Sequence, residues 1–243
     1  MNRTLRCWIA CVGLQSLAIA AGCAGPSAPV PRAPSGEESV FPGVNETFLS
    51  DDLDVEAFTQ RFEGESREVY ALREQLADAL GLAPGDAVAD IGAGTGFFLA
   101  ALSNRIGPAG RLYAVDIAPR FLEHLKDRAQ KEGLQNVSVV HGQEDSVTLP
   151  EASIDLAWIC DTYHHFEYPQ STLASLYQAL RPEGHLVIVD FHRIPGKTSK
   201  FLLDHVRAGQ EVFRAEIEAA GFVFEAEPDV GLDENYMLRF RRP

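Results

Sequence analysis

Basic side chains are scarce in this 243-residue chain, where 21 lysines and arginines face 35 aspartates and glutamates for a formal charge of −14. Binding driven by phosphate neutralisation is therefore not expected, so nucleic acid and anionic lipid surfaces are poor partners. A comfortable membrane span is also missing. The apolar stretch Cys7 to Ala21 is broken by Gln15 and Ser16, and it falls short of the roughly 20 residues that cross a bilayer. No internal repeat is evident. Near the middle of the chain one glycine is absent: the dinucleotide fingerprint G-x-G-x-x-G would need it at position 97, which is Phe97. A pyrophosphate cradle is thereby disfavoured.

The ends of the chain divide it. Arg3 and Arg6, the apolar stretch and the small residues before Cys23 read as a signal peptide over 1–22. Ala20-Ala21-Gly22-Cys23 resembles the bacterial lipobox, with Ala20 where that pattern usually carries leucine. The expected mature protein is exported and tethered to the periplasmic side of the cell envelope by an acyl group on Cys23. An uncleaved N-terminal anchor is the alternative, and either one ties the chain to a membrane. Removing 1–22 takes away two arginines and no acid, leaving 19 basic against 35 acidic side chains. Residues 23–44, with Pro26, Pro29, Pro31 and Pro34, read as a flexible linker. Residues 45–243 have the length of one α/β domain. Cys7 and Cys11 leave with the signal and Cys23 is acylated, so Cys160 remains as a single thiol without a disulfide partner. It reads as a buried hydrophobe rather than a nucleophile.

Within the domain, strands and helices alternate. A helix is expected from Val55 to Leu80, then strand 86–91, helix 96–105, strand 111–116, helix 119–132, strands 137–141 and 154–160, helix 169–180 and strand 185–190. A helical region 199–220 and strands 222–227 and 235–241 close the chain. This order predicts a doubly wound, mostly parallel sheet. Between the first strand and its helix lies the turn Asp90-Ile91-Gly92-Ala93-Gly94-Thr95-Gly96. Glycines there permit positive φ and close approach to backbone, and the helix start offers free amide donors, as a nucleotide-handling loop requires. Asp116 ends the next strand 24 residues beyond Gly92, close to the spacing at which an acid meets a ribose.

An acid, G-x-G-x-G and a second acid at the following strand end together resemble motif I of the class I S-adenosylmethionine (SAM) methyltransferases. The resemblance runs over nearly all of Val55–Pro243 and points to the small-molecule branch, similar to ubiquinone-type C-methyltransferases. It implies a Rossmann-like, doubly wound, seven-stranded, mostly parallel sheet with an antiparallel last strand, and SAM as cofactor. By the same resemblance Asp116 holds the ribose, Ile117 meets the adenine, and Gln143, Glu144 or Asp145 takes the adenine edge. Asp90 and the loop residues Gly92, Ala93, Gly94 and Gly96 lie toward the methionine end, with Arg67 and Glu63 within conceivable reach. Asp161 and the residues after it line the methyl-transfer site.

For an O–H or N–H acceptor a base is needed, and His164, His165 and His192 are candidates. A metal is not expected, because adjacent histidines on an extended segment point apart. His205, Arg207, Gln210 and Tyr236 are possible substrate contacts. The expected function is methyl transfer to a small molecule, with oligomeric state open. The alternative is a membrane-anchored binding or structural protein of the same fold without turnover, since SAM is made in the cytoplasm and this chain carries an export-type start. A nicotinamide oxidoreductase is the third reading, weakened by Phe97.

Overall fold

The computed structural model describes Met1 and residues 36–243. The expected signal peptide and Cys23 lie outside the described residues. Seven strands form one sheet in the order β3-β2-β1-β4-β5-β7-β6. They are β1 (Ala87–Ile91), β2 (Arg111–Asp116), β3 (Val137–His141), β4 (Ile154–Cys160), β5 (Leu180–Phe191), β6 (Val223–Ala226) and β7 (Asn235–Arg241). Strands β1 to β5 pair in parallel, while β7 runs antiparallel between β5 and β6.

Side-chain alternation explains the two covered faces. Val88, Leu112, Ala114, Trp158, Val187 and Val189 point one way, against α4 (Arg73–Ala79), α5 (Leu99–Ile106) and α6 (Pro119–Lys131). Ala89, Val115, Ala157, Ile159, Leu186 and Ile188 point the other way, against α7 (Pro169–Ala179) and α9 (Gln210–Ala219). Strands covered on both sides read as continuous apolar runs, as these do. The order reverses between β1 and β4, and a crevice opens there at the carboxyl ends of the strands.

Several boundaries differ from the sequence expectation. The helix expected over 55–80 is three: α2 (Val55–Phe62), α3 (Glu68–Ala71) and α4. Gly64 and Ser66 are weak helix formers, and the turn closed by Arg67 N–H donating to the Gly64 carbonyl (2.8 Å) swings Arg67 toward the crevice. Helix α5 starts at Leu99 because Gly96 has φ +79°, outside helical space. Residues 181–184, between the expected helix 169–180 and strand 185–190, are absorbed into β5 as an irregularity between the pairs Ile154–Leu180 and Leu156–His185, with Glu183 at φ +64°. The helical region 199–220 splits into α8 (Lys200–His205) and α9, separated by Val206–Gly209.

Residues 36–44, read from composition as part of a flexible linker, pack on the domain. Glu37 accepts from the Gln170 and Ser171 amides (2.9 and 2.7 Å) at the start of α7, and Val40 N–H donates to the Glu167 carbonyl (2.9 Å). A carboxylate at a helix N-terminus meets unpaired amides, which composition alone does not reveal. Just beyond lies α1 (Glu46–Leu49), and no helix among the described residues is long and apolar enough to cross a membrane.

Candidate active site

The crevice is a cavity of about 400 Å³. One end is built on the glycine turn. Gly92 and Ala93 donate to the Val115 carbonyl (2.8 and 3.0 Å), and Gly94 N–H donates to Asp116 Oδ2 (2.8 Å). Asp116 Oδ1 accepts from Ala118 N–H (2.8 Å), so both carboxylate oxygens bind backbone and retain further lone pairs toward the cleft. Burial pushes the Asp116 carboxyl up, against the opposing backbone hydrogen bonds from Ala118, Gly94 and Ile117.

The glycines divide by what surrounds them. A Cβ at Gly92 (φ +72°) would strike Thr162, 2.7 Å from its Oγ1, and one at Gly96 would lie 2.7 Å from Leu125 Cδ2. At Gly94 a Cβ would meet only the Gly92 carbonyl at 3.9 Å. Gly92 and Gly96 thus serve the protein's own packing, and Gly94 is the one that faces open space.

Gly92, Ala93, Gly94, Asp116 and Ile117 line the cavity with Gln143 and Glu144. Three residues expected with them do not. Gly96 is turned into the α5–α6 packing. Asp145 is exposed at the tip of a tight turn in which Gln143 N–H donates to the Ser146 carbonyl (2.7 Å), and such turns splay their two central side chains. Asp90 is 3% exposed and lies behind the cavity wall. Burial first, and then the charge of Asp116, raise its carboxyl to about 7.

The middle of the cleft is held by Asp161, whose φ is +49°. Its Oδ2 pairs with Arg67 Nη2 (2.7 Å), and its Oδ1 accepts from Asn235 Nδ2 (2.6 Å). Arg67 also lies over the Phe62 ring, 4.6 Å from its centroid. Glu63 does not turn inward. It pairs with Arg128, which also donates to the Thr95 carbonyl (3.0 Å) and so ties α2 to the glycine turn. Cys160 lines the cleft as well. Burial and then Asp161 push its thiol well up, so it stays protonated.

At the far end are the histidines. After β4 the chain makes a single 3-10 turn, Tyr163–His165. His164 is 2% exposed and sets Nδ1 2.9 Å from Asp190 Oδ1, while its backbone N–H donates to Asp190 Oδ2 (3.1 Å). Burial, with His164 and His205 next, lowers His165 to about 2, and burial also lowers His205. Expecting the adjacent histidines to diverge was wrong, because a 3-10 turn is not extended. Their ring centroids are 4.4 Å apart, and ring nitrogens of His164, His165 and His205 lie within 4.8 Å of one another.

His192 is not brought to the cleft. Its backbone joins the Glu234 carbonyl (2.9 Å) and its ring packs on Tyr236 of β7 (centroids 5.3 Å), outside the cavity lining. Tyr236 is buried and Gln210 does not reach the cavity. Arg207 is locked in two 2.7 Å bonds to Glu216.

Sequence reasoning missed Asp190, Asn235 and a wall formed by Phe48, Phe58 and Phe121 with Phe201 opposite. Asp190 had a readable signal, since it stands near the end of an expected strand as Asp90 and Asp116 do. Of the phenylalanines only Phe58 stood at helical spacing in an expected helix, which equally fits core, and the four come from four separate helices. Asn235 had none.

This fold, with its cleft at the switch point, is that of a Rossmann-like, doubly wound α/β domain. Residues 89–188 match the family described as a methyltransferase domain, whose cofactor is SAM. The chain is similar to a ubiquinone/menaquinone biosynthesis C-methyltransferase, UbiE, of Hydrogenovibrio crunogenus, 29% identical over 115 residues, covering 47% of this chain and 45% of that protein. A demethylmenaquinone methyltransferase of Anoxybacillus flavithermus is 24% identical over 120 residues, 49% of this chain and 51% of that one. The match thus spans about half the length of these relatives. Among solved structures, a SAM-dependent methyltransferase from Aquifex aeolicus superposes with a TM-score of 0.70 at 23% identity, over 80% of this chain and 100% of that chain.

Proposed function

We propose that the protein transfers the methyl group of SAM to a small molecule with a substantial apolar part. The observation that carries this reading is one continuous cleft, running from the glycine turn and Asp116 to a corner of histidine and phenylalanine. Bound SAM supplies a methyl group already activated on a sulfonium. In this reading Asp116 accepts from the ribose hydroxyls, Ile117 packs on the adenine, and Gln143 or Glu144 meets its exocyclic amine. Arg67, held by Asp161, takes the methionine carboxylate. Asp90 and the Gly92 carbonyl favour the ammonium, Asp90 through water or by its field alone. Asp161 acts by positioning Arg67, to which its Oδ2 is paired at 2.7 Å.

Phe48, Phe58 and Phe201 fit an apolar acceptor, and methyl transfer needs close in-line placement more than it needs further activation. The proton of an O–H or N–H acceptor leaves at the histidine corner. The names of the relatives above support a ring-bearing acceptor. The lipobox-like start supports placement at the cell envelope through Cys23, to be checked by the mass of the mature N-terminus.

Calorimetry of the full chain with SAM and with S-adenosylhomocysteine tests the reading, and one bound molecule per chain is expected. Folded protein that binds neither overturns it. Binding without any methylated product in envelope extracts would favour the second reading, a SAM-fold binding protein without turnover.

A further inference from the structure

We propose that His164, His165 and His205 form a site for one divalent transition-metal ion of the zinc class, with its fourth position open to the cleft. This rests on the methyltransferase reading of the same cleft and specifies its acceptor end.

Three rings from two separate elements converge there. His164 and His165 come from the 3-10 turn and His205 from the end of α8, with centroid separations of 4.4, 5.1 and 5.0 Å. Nitrogens about 2.1 Å from one tetrahedral ion lie about 3.4 Å from each other. One nitrogen of each ring already lies within 4.8 Å of the others, so small ring rotations complete the set.

Two further observations point to an ion rather than to a stack of aromatic rings. The Asp190 carboxylate at His164 Nδ1 (2.9 Å) fixes the tautomer and leaves Nε2 as a bare lone pair, the arrangement that orients metal-binding histidines. His165 Nδ1 is buried and has no hydrogen-bond partner, a costly state for a polar atom unless something outside the chain satisfies it. The donors are all imidazole nitrogen, which suits zinc, cobalt or nickel and not the oxygen-seeking magnesium or calcium. Phe48 against His165 (5.2 Å) and Phe201 stacked on His205 (5.3 Å) keep the corner apolar.

The open position defines the acceptor class as a compound carrying a hydroxyl or enol oxygen. On binding, a metal-bound water leaves, the metal–oxygen bond forms, and the O–H proton passes to solvent. The acceptor is left electron-rich next to the sulfonium.

The test uses tag-free full chain, stripped with EDTA and titrated with Co²⁺ while visible absorption is followed. One Co²⁺ per chain with a tetrahedral spectrum, displaced by Zn²⁺, is expected. His205→Ala, half-exposed at a helix end and so compatible with folding, should weaken Co²⁺ binding about 100-fold or more, and Asp190→Asn about 10- to 100-fold. His185→Ala, on the remote side of β5 beside Glu225, should leave it unchanged. No tetrahedral spectrum, or wild-type binding by both His165→Ala and His205→Ala, overturns the site. SAM calorimetry on the stripped protein separates the two claims: SAM binding together with no tetrahedral Co²⁺ spectrum refutes the metal alone, and loss of SAM binding refutes the cofactor reading while the Co²⁺ spectrum still decides the histidines.

Discussion

Replacing Asp90 by asparagine should change how stability depends on pH, and the direction follows from where the carboxyl sits. Asp90 is 3% exposed, and burial, followed by the charge of Asp116, moves it from 3.8 to about 7. Between these values the native state keeps a proton that the unfolded chain has lost. Stability from this group is therefore fully present below about pH 4, falls as pH rises toward 7, and levels off above. A shift of about three units at ~1.4 kcal/mol each gives ~4 kcal/mol as the upper figure, and ~2–4 kcal/mol once the interior relaxes around the charge. Asparagine has nearly the same shape and never ionises. The variant should match wild type near pH 4.5 and exceed it by that amount at pH 8. Urea unfolding at constant ionic strength, with m checked for constancy, measures the difference. Asp116 and Asp161 are also raised by burial, so both proteins lose stability with pH, and the gap between their curves isolates Asp90 together with its repulsion of Asp116. Parallel curves would refute the reasoning, because Asp90 would then be ionised at neutral pH at no cost.

Asp116→Ala removes two charged acceptors from the ribose and releases the Gly94 and Ala118 amides. SAM affinity by calorimetry should fall about 100-fold, taking ~1.5 kcal/mol for each lost bond, whereas Asp145→Ala, at the exposed turn tip, should stay near wild type. Gly92→Ala should cost ~2–5 kcal/mol in urea unfolding, from left-handed backbone at ~1–2 and collision with Thr162 at ~1–3. Gly94→Ala should cost the backbone part alone, ~1–2 kcal/mol, while lowering SAM affinity because it faces the cleft. Equal stability losses in the two glycine variants would show that Thr162 does not constrain the turn.

The sheet was legible because its signals are local. Five apolar runs, four of them with a glycine beside an expected end, and intervening helical periods suffice for parallel order, and Asp116 shows itself by distance along the chain from Gly92. The far end of the cleft was less legible because its partners are remote in sequence. Asp161 looks like a free strand-end acid until Arg67, 94 positions away, and Asn235, 74 positions away, occupy both oxygens. Whether His164 and His165 converge depends on one 3-10 turn, and periodicity does not register an element of three residues. His192, at the end of an expected strand, was indistinguishable from them by residue type. In the fold it follows β5 and leaves with the loop that packs toward β7.

Four aspartates, Asp90, Asp116, Asp161 and Asp190, stand at or next to the carboxyl ends of four of the parallel strands, β1, β2, β4 and β5. The chain neutralises each one differently. Asp116 is met by backbone amides, Asp161 by Arg67 and Asn235, and Asp190 by His164, while Asp90 is instead raised toward neutrality. Hydrogen bonds from amides and an imidazole offset the cost of burying these carboxylates without cancelling their field, and the carboxylates outnumber Arg67 at the floor of the cleft. Such a floor disfavours a pyrophosphate, in agreement with Phe97 at the fingerprint position, and favours cations. In the proposed reading the positive charges of SAM and a divalent ion beside Asp190 would repel each other across one cavity. The electron-rich oxygen of an acceptor between them would relieve that repulsion.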